Sequence, residues 1–453
     1  MISVTLQQIT AVLNARLLGD DCVINAVSTD TRTLNNGSLF VALIGDRFDA
    51  HDFAQQAKES GASALLVSRE LAVDLPQVIV EDTRLALGQL AGWVHHQCQS
   101  KTMAITGSCG KTTVKEMTSA ILSQKGEVLF TAGNFNNDIG VPLTLIRSEK
   151  QHDFAVIELG ANHVGEIAYT TELVKPSVAL VNNVDAAHLE GFGSLDGVKQ
   201  AKGEIYQGLS AGDTAIVNLD SNGGELWSEV LADKKQLTFS MTDSSADFYP
   251  TDVALDSQGN ASFILHTPQG EQPVSLSVAG KHNVSNALAA AALASQFGCS
   301  LAEIANGLLN VVNVKGRVEV LQLSDDVRLI DDSYNASVPA MKAAVDLLST
   351  YKGIRWLILG YMAELGAESL ELHRQLGDYA APFQFDYVLT YGEDTKVISD
   401  VCSGMHFETH TELICYMEQE LLKSPAQSQT LLVKGANSAR MSLVAEALKE
   451  QFK

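Results

Sequence analysis

The feature that most constrains this chain is the run Thr106-Gly107-Ser108-Cys109-Gly110-Lys111-Thr112-Thr113. Before it stands the apolar run Met103-Ala104-Ile105, and after it Val114, Met117, Ile121 and Leu122 recur at helical spacing. A strand, a Gly-rich turn and a helix in that order form a phosphate cradle, because the turn's amides and the helix N-terminus converge on one anion site. Within it Gly107, Ser108, Cys109, Gly110 and Thr113 supply backbone, Lys111 reaches the outer phosphates, and the Thr112 hydroxyl faces a magnesium ion. Ile105 stands where the longer form of the motif has Gly, so this is a shortened variant. The bland reading is a glycine turn with one solvated lysine; the strand before and the helix after favour a nucleotide site.

Length and composition narrow the setting. At about 150 residues per domain, 453 residues allow roughly three domains. A hydrophobic share of 46% is too high for disorder. Fifty-four acidic against 31 basic residues leave a net charge of −23, which repels phosphate backbones and anionic lipid, so neither nucleic acid nor membrane is an expected partner. An anionic substrate must therefore be met by local cations or by metal. The six cysteines are scattered, without a Cys-x-x-Cys pair, as in reduced cytosolic chains. Residues 1–18 read as an amphipathic helix and not as a secretory signal, and no run reaches the roughly 18 apolar residues of a membrane span. The cytoplasm is the expected location.

Three regions follow from the patterning. Residues 1–82 mix short strands (Leu39–Leu43, Ala64–Val67, Val78–Val80) with a helix near Phe53–Ser60, a small α/β domain. Residues 83–313 alternate strands with helices, as a parallel sheet requires, and carry an antiparallel insertion over about Gln236–Val278 before an Ala-rich helix from Asn283 to Phe297. Residues 314–453 restart the alternation as a Rossmann-like domain. Three of its strands end at Gly360, Gly392 and Gly435, where a ligand could approach the backbone.

Other residues carry chemistry by position. Glu158 closes the Phe154–Ile157 strand, where its carboxylate can reach a magnesium near the cradle; a solvated strand end is the alternative. His188 follows another parallel strand and reads as a ligand or as an ordinary structural histidine. Lys199 and Lys202, three apart, share a helix face that is usually a solvated patch. The loop Gly133-Asn134-Phe135-Asn136-Asn137 is rich in amide donors.

Taken in order, Gly107–Thr113, Gly133-Asn134-x-Asn136-Asn137-x-x-Gly140-x-Pro142, Glu158-Leu159-Gly160, His188, Lys202-Gly203-Glu204, Gly280-Lys281-His282-Asn283-x-x-Asn286-Ala287, Gly316-Arg317 and Asp331-Asp332-Ser333-Tyr334-Asn335-Ala336 resemble the Mur ligase family over almost the whole chain. The Asp-Asp-Ser-Tyr-Asn-Ala run and Ser28-Thr29-Asp30-Thr31-Arg32 are similar to the members that join D-alanyl-D-alanine to UDP-N-acetylmuramoyl-tripeptide. The resemblance implies ATP and Mg²⁺, an acyl phosphate, and a monomer acting on small molecules. It also implies that Lys111 contacts ATP phosphates, that Thr112 and Glu158 bind one Mg²⁺, and that His188 and a carbamylated Lys202 bind a second. Nucleotide contacts fall to Asn137, His282, Asn283, Asn286, Arg317 and Asp332; the UDP-sugar side to Ser28, Asp30 and Arg32; the dipeptide side to Tyr334, Asn335 and Lys434. Two positions depart from the family pattern: Tyr361 stands where Asp is usual and Asn437 where Arg is usual, with Arg440 three residues on as a substitute on the same helix face. The Asp-Asp-Ser-Tyr-Asn-Ala run argues against another amide ligase of the superfamily. A nucleotide-binding regulator that makes no bond stays open.

Overall fold

A computed structural model describes residues 1–45, 47–186, 189–312, 314–423 and 427–452. The chain opens with helix α1, Leu6–Leu13, capped by reciprocal bonds between Thr5 and Gln8. The long amphipathic helix expected over residues 1–18 is not formed: Asn14 turns left-handed and Arg16–Leu18 becomes strand β1. With β2 (Ala26–Ser28), β3 (Ser38–Val41), β4 (Ala62–Val67) and β5 (Gln77–Ile79) it makes a sheet of order β1-β5-β4-β3-β2, parallel except for the β1–β5 pair. Helix α2, Ala54–Glu59, lies between β3 and β4. Asp82 starts the long helix α3, Thr83–Cys98, by accepting from the amides of Arg84 and Leu85. One apolar cluster runs from Leu39, Val41 and Leu66 through Leu87, Leu90 and Val94 of α3 to Ala155 and Ile157, so α3 is a wall shared by two sheets.

The second sheet is wholly parallel: β6 (Lys101–Thr106), β7 (Glu127–Phe130), β8 (His152–Glu158), β9 (Val178–Val181), β10 (Thr214–Asn218) and β11 (Lys235–Phe239), in the order β7-β8-β6-β9-β10-β11. Its inner strands are buried on both faces. Ala104, Ala155 and Val181 point to the α3 side, while Met103, Ile105, Val156 and Leu180 point to helices α4 (Lys111–Leu122) and α5 (His282–Gln296). Alanines 287 and 289–292 let α5 lie close in this layer. The antiparallel sheet β12 (Tyr249–Leu255), β13 (Asn260–Thr267), β14 (Gly270–Ala279) follows. It begins later than the sequence pattern indicates, because Lys235–Phe239 is the edge strand of the parallel sheet; with Leu237 and Phe239 buried and Lys235 and Gln236 exposed, an edge strand alternates like an antiparallel one.

The third sheet contains β15 (Glu319–Gln322), β16 (Val327–Asp332), β17 (Ile354–Gly360), β18 (Tyr387–Tyr391), β19 (Met405–Phe407) and β20 (Gln429–Lys434), ordered β15-β16-β20-β17-β18-β19 and parallel apart from β15. Its strand-end glycines serve packing and not ligand approach. A methyl group at Gly435 would stand 2.6 Å from the Met441 side chain and 3.0 Å from Gly360 Cα; one at Gly360 would also meet Met441, and one at Gly392 would meet the Tyr361 ring. Among the described residues, no helix is long and apolar enough to cross a membrane.

Candidate active site

Strand β6 is the switch point of the second sheet, with β8 on one side and β9 on the other, and the 107–110 turn leaves its carboxyl end there. Polar side chains from the flanking strands fix the turn. Cys109 N–H donates to Asn183 Oδ1 at 2.8 Å, and Cys109 O accepts from the amides of Asn182 and Asn183 at 3.0 and 3.1 Å. Ser108 exchanges bonds with the Asp185 backbone at 3.0 and 2.9 Å. Gly110 is left-handed at φ +76°, and a Cβ there would lie 2.4 Å from Asn286 Oδ1, so both conformation and space call for glycine. Behind the turn Asn218 donates to Asn182 O, and Asn182 donates to Asn286 Oδ1 at 3.0 Å. The cradle is thus rigid before any ligand arrives.

Lys111 opens α4 and bends back, its Nζ donating to Gly107 O at 2.7 Å. Burial lowers its pKa, and the charge of Glu158 opposes that shift. Thr112 Oγ1 donates to Glu158 Oε2 at 2.9 Å, and Asn136 Nδ2 donates to Glu158 Oε1 at 2.8 Å. Glu158 is buried at the end of β8, where its own N–H donates to Thr131 Oγ1. Lys202, in the helix Leu195–Gly203, is 1% exposed and faces the Phe192 ring at 5.6 Å, so it is no solvated patch. Burial first and the charge of Lys111 second push its pKa well down.

The third sheet faces this cradle across a cavity of about 1240 Å³. Adjacent strands β16, β20 and β17 end side by side, with Asp332 opposite Lys434 and Lys434 opposite Leu359. Lys434 Nζ donates to Asp332 Oδ2 at 2.6 Å and to Asn335 O at 2.9 Å. The Arg317 guanidinium stacks on Tyr334 at 4.1 Å, and its buried Nε has no hydrogen-bond partner among the described residues. Ser108, Cys109, Gly110, Lys111, Thr112, Thr113, Glu158, His282, Asn286, Arg317, Asp332, Tyr334, Asn335 and Lys434 all line the cavity.

Other residues stand apart from it. Asn137 does not line the cavity; its Oδ1 accepts from Gly140 N–H, a turn cap, and Asn134 and Asn136 take the cavity wall instead. Asn283 is buried behind Asn286, accepting its amide at 2.8 Å. Gly107 is buried beneath the turn. Ser28, Asp30 and Arg32 form their own cluster after β2: Asp30 N–H donates to Ser28 Oγ, and the Arg32 guanidinium holds the Asp30 carboxyl at about 2. Arg440 does not share a helix face with Asn437, because it is exposed and left-handed just past the short 3-10 turn Asn437–Ala439. Tyr361 packs on Gly392, while Asn437 lines the cavity. His188 lies outside the described residues. Sequence reading placed Asn136 in an amide-rich loop without a role and missed Asn182, Asn183 and Asn218; the available signal for those three was polar amides directly after the apolar strands 178–181 and 214–217.

Comparison with known proteins bears on the whole chain. Residues 105–294 match the Mur ligase middle domain, 316–450 the Mur ligase glutamate ligase domain, and 23–93 the Mur ligase family catalytic domain. The chain is 53% identical over 451 residues to the UDP-N-acetylmuramoyl-tripeptide–D-alanyl-D-alanine ligase of Escherichia coli K12, covering 99% of each, and 45% identical to that of Haemophilus influenzae, covering 100% of each. A crystal structure of MurF from Acinetobacter baumannii superposes with a TM-score of 0.94 at 36% identity, covering 99% of each chain. The MurF ligase of Thermotoga maritima in complex with ADP gives 0.83 at 26% identity, covering 94% of this chain and 98% of that one.

Proposed function

This chain belongs to the Mur ligase family, and from that premise we propose that it joins D-alanyl-D-alanine to UDP-N-acetylmuramoyl-tripeptide, with ATP converted to ADP and phosphate. The observation that carries this reading is one cavity lined by the Gly107–Thr113 cradle and Glu158 on one side and by Arg317, Asp332, Tyr334, Asn335 and Lys434 on the other. A peptide carboxylate is a poor electrophile at neutral pH. Transfer of the γ-phosphoryl group to it gives an acyl phosphate, which the dipeptide amine attacks, and phosphate departs. Positioning and charge neutralisation supply most of what such a transfer needs. Lys111 places a cation on the outer phosphates, and Arg317, brought by the other sheet, adds a second with an N–H to spare. Closure of residues 314–453 over the cavity keeps water from the acyl phosphate.

The donors present suit magnesium. Thr112 Oγ1 and Glu158 Oε2, 2.9 Å apart on rigid elements, are hard oxygen ligands of the kind Mg²⁺ takes beside phosphate and water. When bound, the ion neutralises phosphoryl charge. Lys202 fits a carbamate: its burial favours the uncharged amine over the ammonium, and the uncharged amine is the form that adds carbon dioxide and presents oxygens in place of a cation. With His188 it would hold a second ion. Residues 1–82, with Ser28, Asp30 and Arg32, take the UDP-sugar; 83–313 take ATP, with His282, Asn286 and the supporting Asn283 and Asn137 on the nucleotide side; 314–453 bring the dipeptide. All six cysteines are free, as suits the cytoplasm where nucleotide substrates reside.

Phosphate release measured with ATP, magnesium and UDP-N-acetylmuramoyl-tripeptide tests the reading. Release that requires D-alanyl-D-alanine is the expected result, and release indifferent to the dipeptide would refute it.

A further inference from the structure

Helix α4 carries Lys111 and Thr112 in its first turn, and one turn further on it carries a lysine that no part of the proposed reaction uses. Lys115 is 1% exposed. Withdrawing an ammonium from water is costly unless close partners answer its charge, and here three neighbours do so. Its Nζ donates to Thr131 O at 2.7 Å, pairs with the Glu116 carboxylate at 2.7 Å, and stands 5.6 Å from the centre of the Phe130 ring. An apolar side chain of similar length would fill such a space without the cost. Packing alone is therefore a poor reason for the charge, and what the ammonium holds is a better one.

It holds the carboxyl end of the outermost strand of the second sheet. Phe130 ends β7 and Thr131 follows it. Thr131 is fully buried and reaches across to β8: its N–H donates to Val156 O at 3.2 Å, and its Oγ1 accepts the Glu158 N–H at 2.9 Å. The Asn-rich loop leaves the sheet directly after it. Within that loop Asn136 donates to Glu158 Oε1 at 2.8 Å, and its carbonyl accepts the Gly160 N–H at 2.7 Å. Lys115 thus grips the point from which two supports of the Glu158 carboxylate depart, the hydroxyl that fixes its backbone and the loop whose amide aims its oxygens. The same helix sets Thr112, whose hydroxyl lies 2.9 Å from Glu158 Oε2. The spacing between α4 and the ends of β7 and β8 fixes how these two oxygens meet, and the Lys115 side chain bridges that space.

We propose that Lys115 is a positioning residue for the magnesium nucleotide: acting through Thr131, it sets the Glu158 carboxylate beside the Thr112 hydroxyl before ATP and magnesium arrive. This rests on the reading above that both occupy the cradle.

Binding of the ATP analogue with an imido bridge between its β- and γ-phosphates, followed by calorimetry with magnesium and again with EDTA, reads that role without turnover. Magnesium should tighten the analogue on the unaltered protein. In Lys115→Met that gain should shrink about 10-fold, the lower end of the cost of removing a metal ligand's support, with affinity in EDTA nearly unchanged. The thermal midpoint should move little, because Glu116 is partly exposed and water can take the place of its partner. Lys115→Arg, which keeps a charged donor, should recover part of the gain. Thr131→Val deletes the hydroxyl that accepts from Glu158, leaves Lys115 in place, and should lose the gain in the same way. An undiminished gain in Lys115→Met or in Thr131→Val would overturn the proposal. Equal losses with magnesium and with EDTA in Lys115→Met would overturn it too, since they would mark a lysine that only maintains the fold. Should Lys115→Met fail to fold, Thr131→Val decides alone. No effect of magnesium on the unaltered protein would remove the reading that places the ion in the cradle and this proposal with it, whereas a normal gain beside phosphate release indifferent to D-alanyl-D-alanine would remove the ligase reading alone.

Discussion

In the proposed reaction Lys111 is the residue on which the chemistry turns, because a preformed loop would hold its cation where phosphoryl charge builds. Lys111→Ala should lower turnover by ~10²–10³-fold, the usual cost of removing one preorganised charge-stabilising group, while leaving the thermal midpoint nearly unchanged; phosphate release and a melting curve check both halves. Lys202 makes a different prediction. Lys202→Ala should lose activity that short carboxylates such as formate or acetate partly restore in a saturable way, since they would stand in for the oxygens of the proposed carbamate, whereas an inert packing lysine would show no recovery. The sequence made Lys111, Thr112 and Glu158 legible, because strand, turn and helix around them are local. It did not reveal Asn182 or Asn218, whose role exists only where strands distant in sequence meet, and it placed Asn137 on the nucleotide although Asn136, one residue away, turns toward Glu158. A single-residue choice within a loop is set by backbone direction, which spacing does not encode.

Elements carry the next layer of consequences. The turn after β20 closes on β17 so tightly that Gly435→Ala, with its new carbon 2.6 Å from Met441, should cost about 1–3 kcal/mol through overpacking and lower the thermal midpoint by several degrees. Helix α3 is fastened by a buried histidine: His95 bonds Ser148 at 2.8 Å and Thr102 at 2.9 Å, and burial, reinforced by His96 and His152, holds its pKa near 4. In the unfolded chain this imidazole titrates near its ordinary value of about 6.5, so between those pH values the unfolded state binds the extra proton. Stability is therefore full above about pH 6.5 and falls as the pH drops toward about 4, by up to ~3 kcal/mol from this residue. Melting curves from pH 7 to pH 4 should be shallower in His95→Gln than in the unaltered protein; equal slopes would show that another group governs acid lability. Strand positions were readable from apolar runs, yet β11 was mistaken for part of the antiparallel insertion, since a half-buried edge strand and an antiparallel strand share one alternation.

At the scale of the molecule, three sheets are held so that the second and third meet around one cavity, with the Glu190–Glu364 contact as part of the seam. Fold class was legible because each module writes its own strand-helix alternation. The meeting of modules was not, because nothing in a local window says which sheet edge faces another. Transfer of oxygen reads the central claim most directly. With UDP-N-acetylmuramoyl-tripeptide labelled with ¹⁸O in its terminal carboxyl group, the ligation should deliver one labelled oxygen to each inorganic phosphate released. Unlabelled phosphate, formed alongside the ligated product, would mean that the carboxyl group was never phosphorylated and would contradict the account.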